Sequence, residues 1–66
     1  MKKEELLNDP IVKMLLEDVK GYVDGNKALL PEAKRSVAIL KKEYDVTPSF
    51  IASACDAGMG VVSEVW

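Results

Sequence analysis

The sequence predicts an all-α fold, a single small bundle of three main helices over about residues 10–23, 31–44 and 48–57, the third able to continue to 65. Three observations carry this. Apolar residues recur at helical spacing in the first two segments, and residues with turn and cap chemistry stand between the segments. At Tyr44-Asp45-Val46-Thr47-Pro48-Ser49-Phe50-Ile51 one helix closes and another opens within three residues, a helix-turn-helix-like junction at 44–48.

Residues 2–7 suit a short helical turn that Asp9-Pro10 interrupts. The residue before a proline is pushed out of α geometry, while proline fits the first position of a new helix. Asp9 then caps a helix over 10–23. Its apolar stripe is Ile11, Leu15, Val19 and Tyr22, widened by Val12, Leu16 and Val23, with Lys13, Glu17, Asp18 and Lys20 off it. Asp24-Gly25-Asn26 ends it, because glycine near the C′ position supplies a positive φ and Asx side chains bond to their own backbone. The same run is no calcium loop, since the further oxygen ligands and the closing glutamate are missing.

The second helix turns Ala33, Val37, Leu40 and Tyr44 inward, with Ile39 beside them. Lys34, Lys41 and Lys42 share its outer face, with Arg35 at the edge. The third has the clearest start signal: Thr47 as N-cap, Pro48 at N1, and Val46 and Ile51 at the spacing of a hydrophobic staple. Its body from Phe50 to Gly58 is small and apolar, which suits close backbone approach and a central, buried position. Gly58 and Gly60 either stop it, leaving Val61–Trp66 as a strand or tail, or mark a kink. The apolar pairs at 61/62 and 65/66 fit a period near four better than two and favour the kink. Two glycines inside a helix cost roughly 1 kcal/mol each relative to alanine, which tight packing on their bare faces would offset.

Sixty-six residues make a marginal core. Cys55 is the single cysteine and histidine is absent, so neither an internal disulfide nor a zinc site can staple the fold. With 48% apolar residues, self-association as a homodimer or a protein partner is the expected source of extra stability. No cofactor is implied. A lone thiol fits a reducing compartment. Glu4-Glu5 directly after Met1-Lys2-Lys3 is wrong for a secretory signal, and Val37-Ala38-Ile39-Leu40 is too short to span a membrane, so the expected location is cytoplasmic.

Catalysis by the chain alone is not expected. The usual general base near neutral pH is missing without histidine, and Glu17 and Asp18, though adjacent, point in different directions around a helix. Cys55 sits among alanines with no base nearby and reads as a small buried hydrophobe. Gly58-Met59-Gly60 lacks the closing Lys-Ser/Thr of a phosphate loop.

Charge is unevenly spread. The chain carries a net charge of −2, and residues 46–66 hold only Asp56 and Glu64. This cation-free, apolar final third ends in Val61, Val62, Val65 and Trp66, the expected protein interface, because tryptophan is enriched among interface anchors. The composition therefore leads to a non-enzymatic interaction module of dimerising, adaptor or inhibitor type. A third reading takes the tail as a substrate and residues 1–45 as its recognition leader.

Residues 43–58 resemble the turn and second helix of the Cro family of phage repressors. The likeness rests on Val46 after the turn, Ser49 in the first helical turn, Ile51 and Ala54 facing inward, and the closing Ala57-Gly58. It implies a second helix lying in the major groove with its N-terminal side chains at base edges. Thr47, Ser49, Ala52 and Ser53 would be the readers, and Lys34, Lys41 or Lys42 would touch the backbone. The chain departs from the family at Lys41, where a small residue is usual, and at Asp45, where glycine is usual but aspartate tolerates left-handed geometry. The second helix also lacks Arg, Lys, Asn and Gln, the bidentate partners of guanine and adenine.

Overall fold

The computed structural model describes residues 3–66 and is all helix in its regular structure, with no strand among those residues. Five α-helices follow one another: α1 (Lys3–Asn8), α2 (Pro10–Val23), α3 (Leu30–Glu43), α4 (Pro48–Cys55) and α5 (Met59–Val65). A single 3₁₀ turn, Lys27–Leu29, leads into α3. The expected turn at 2–7 is α1; Lys2 itself lies outside the described residues.

Local chemistry places the boundaries. Asp9 accepts hydrogen bonds from the backbone N–H of Ile11 at 2.8 Å and of Val12 at 3.4 Å, satisfying two donors that the first turn of α2 leaves open. At the far end Gly25 takes φ 118°, and the N–H groups of Gly25 and Asn26 return to the carbonyls of Tyr22 and Gly21. Thr47 Oγ1 accepts from the Phe50 N–H at 3.1 Å, and both proposed staple residues, Val46 and Ile51, are buried in the common core.

The third helix stops earlier than 57. It ends at Cys55 because Asp56 turns left-handed at φ 53°, while Ala57 N–H bonds to the Ala52 carbonyl at 2.8 Å and Asp56 N–H to the Ser53 carbonyl at 3.4 Å. Aspartate thus does the work usually given to glycine. Gly58 then serves as the extended residue before α5, so the chain breaks and resumes as a separate helix. The expected close packing on the glycines is absent: a Cβ at Gly58 or Gly60 would meet nothing within 4 Å. The close approach is elsewhere, at Gly21, where a Cβ would come within 2.5 Å of Leu29 Cδ1.

The hub of the bundle is α2, not the third helix. It packs on α1, α3, α4 and the 3₁₀ turn, and it buries Val12, Leu15, Leu16, Val19 and Tyr22. The reason is size and arc. Fourteen residues with a wide stripe of large side chains can cover several neighbours, whereas α4 has eight residues, mostly small. Val12, Val19, Val37, Leu40, Ile51 and Val62 are the largest side chains wholly withdrawn from water, each contributing about 1.5–3 kcal/mol of transfer free energy. One stripe assignment changes: Ile11 is 53% exposed. Ile39, expected beside the inner stripe of α3, is 37% exposed, while Ser36 takes an inner position on α3 and donates to Asp18 Oδ2 at 3.1 Å.

Candidate functional site

The four C-terminal residues expected to form an interface divide sharply. Val62 and Val65 are in the protein's own core, Val61 is half-buried and Trp66 remains 37% exposed. Two contacts fix this end. Tyr22 Oη donates to Glu64 Oε1 at 2.7 Å, tying α5 to the hub helix. Lys41 Nζ donates to the Trp66 carbonyl at 3.0 Å and stands 4.4 Å from the indole centroid, a cation–π distance. The Glu64 carboxylate, together with burial, pushes the Tyr22 hydroxyl above its ordinary pKa, because ionising it would set two anions side by side.

Lys41 is therefore engaged with Trp66, with its stem turned out of the bundle. That is how the chain accommodates lysine near the junction of α3 and α4. Asp45 adopts φ 52° there, the left-handed geometry that aspartate tolerates. Both helices pack principally on α2 or α5 rather than on one another. Of the suggested nucleic-acid contacts, Lys34, Lys42, Thr47, Ser49 and Ser53 are all exposed, with the Thr47 hydroxyl also occupied as a cap. The cations that the fold brings beside α4 are different ones. Lys13 and Lys20 of α2, with Leu7, Leu16, Glu17 and Ala54, line a shallow groove of about 240 Å³.

Cys55 is 3% exposed, with its thiol 3.8 Å from the Leu16 carbonyl. Burial pushes its pKa up, partly countered by the charge of Lys20, so the reactive thiolate is suppressed. Among the described residues no group of three or more potential ligands is arranged to hold a metal ion, and no buried side-chain polar atom lacks a hydrogen-bond partner. No helix among them is long and apolar enough to cross a membrane.

The surface that sequence reasoning missed lies on α2 and α3. Ile11 and Met14 are 53% and 58% exposed, and Ile39 is 37% exposed. The available signal was Met14: a large apolar residue off the predicted stripe, with no polar reason to be there. No family model, curated protein or solved structure matches this chain.

Proposed function

We propose that the protein is a non-enzymatic interaction module, a small helical domain that pairs with itself or with another protein as an adaptor, inhibitor or regulatory subunit. The observation that carries this reading is the exposure of Ile11, Met14, Ile39, Met59 and Trp66 on so small a chain. Single exposed hydrophobes are ordinary, but five large ones on a bundle this small leave apolar area that association would cover. In this reading the C-terminal contact narrows to Trp66 and Val61, because Val62 and Val65 are already packed inside. A reducing, cytoplasmic setting suits the single buried thiol.

Sedimentation from micromolar to millimolar concentration, paired with affinity capture through a tag placed away from Trp66, tests it. Concentration-dependent association, or a stoichiometric protein partner, is the expected result. A strict monomer that retains no protein partner defeats the reading.

The second reading is a helix-turn-helix regulator of phage or bacterial type. It draws on the exposed residue Ser49 in the first turn of α4, the Thr47 cap and the left-handed Asp45 turn. It predicts retention on duplex DNA that weakens with salt and with Lys42→Glu. Absence of retention at low salt removes it.

A further inference from the structure

The outer face of the α2/α3 pair is self-complementary, and we propose that it is the surface on which a second copy of this chain docks, deepening the interaction-module reading on which it rests. Two contacts establish that α2 and α3 run antiparallel. Asp18 meets Ser36, and Gly21 lies against Leu29, so positions that rise along α2 fall along α3. From the Asp18–Ser36 bond, Met14 sits one turn back along α2 and Ile39 one turn on along α3, which sets them at the same level and on the same side. Ile11 extends the patch by a further turn. The opposite side of the pair is already covered: Leu16 of α2 meets Cys55 of α4, and Lys41 of α3 meets Trp66.

The rim of this patch is asymmetric in charge. Glu17 and Asp18 stand beside Met14 on α2, whereas Arg35 and Lys42 stand one turn either side of Ile39 on α3, with Glu32 and Glu43 on the inner margin of that helix. Lys13 and Lys20 lie on the flank of α2 that faces α4. A two-fold axis in the plane of the face and parallel to the helices carries α2 of one copy over α3 of the other. Because the axis preserves height, Met14 of each copy then meets Ile39 of the other, and Glu17 meets Arg35. Contacts away from the axis occur twice, as an isologous interface requires. Glu32 and Glu43 on the midline face their own counterparts, a like-charge term that opposes the apolar contacts and the two Glu17–Arg35 pairs.

The area is adequate. A stable interface takes about 800 Å² from each partner, and the chain exposes 4202 Å². Two 14-residue helices, each about 21 Å long, offer a face of that order once their side chains and rim are counted. Packing them on their counterparts would give a four-helix layer, with α4 and α5 outside it.

Sedimentation equilibrium on the wild type and four variants tests the proposal, with circular dichroism checking that each variant keeps its helices. The wild type is expected to dimerise and Met14→Glu to be monomeric, its dissociation constant raised at least tenfold. Glu17→Arg and Arg35→Glu should each weaken the dimer, and combining the two should restore it. Association that Met14→Glu leaves intact, or charge swaps that do not rescue one another, would overturn this surface while leaving the interaction-module reading standing on another. A wild type that stays monomeric yet captures a different protein overturns the self-pairing and spares the broader reading. A monomer that captures nothing ends both.

Discussion

Replacing glycine by alanine at three positions should give three different outcomes, ordered by the surroundings of each. At Gly60 the new methyl would meet nothing within 4 Å, and the residue lies inside α5 with no positive φ. Alanine there reduces the freedom of the unfolded chain without straining the folded one, a gain of about 0.4–1 kcal/mol. For a domain of this size that is a rise of about 2–8 °C in Tm. At Gly25 the backbone sits at φ 118°, a region that strains an L side chain by about 1–3 kcal/mol, so Tm should fall by at least about 4 °C. At Gly21 the helical gain is opposed by the 2.5 Å approach to Leu29 Cδ1. The leucine tip can rotate, so this variant should fall between the other two. Thermal unfolding followed by far-UV circular dichroism, at one low protein concentration, reads all three. A lower Tm for Gly60→Ala, or an unchanged one for Gly25→Ala, would refute the assignment of open space to the first and of strain to the second.

Three more perturbations probe the bonds between elements. Ser36→Ala removes the donor to Asp18; because the carboxylate is only partly buried and water can replace the hydroxyl, the loss should be about 1 kcal/mol in urea unfolding. The folded protein holds the Tyr22 and Cys55 protons more tightly than the ordinary groups do. Their contribution to stability is thus complete below the unfolded pKa values and declines as pH rises from about 9 through the folded ones. The pair Tyr22→Phe with Cys55→Ala should flatten that alkaline decline, and an unchanged slope would contradict it. Lys41→Met removes the cation above Trp66 at a cost of about 0.5–1 kcal/mol, and it should raise acrylamide quenching of the indole.

The local punctuation of the fold was legible because each signal acts over three or four residues. Asp9, Gly25 and Thr47 each bond to, or bend, backbone within one turn of themselves, so their roles follow from adjacency. The surface was less legible. Ile11 and Val12 are neighbours on a wide apolar arc, and one is 53% exposed while the other is wholly buried. Periodicity gives the direction of a stripe, but neighbouring elements set its width, and those around Ile11 leave about half of it uncovered. The tail misled for a related reason. Its composition is that of an interface, yet Val62 and Val65 found partners inside the chain, leaving only Trp66 and part of Val61 outside.

The sequence by itself determined an all-helical chain, the start of its hub helix at Pro10, the cap at Thr47 and the inert setting of its one thiol, since these depend on short-range backbone bonds and on residue chemistry. Only the tertiary structure decided that α2 is the hub, that Lys41 is held by Trp66, that Ser36 reaches Asp18, and that Met14 and Ile39 share one uncovered face. Such facts join residues far apart along the chain, and their alignment depends on how whole helices pack, which no window of a single turn contains.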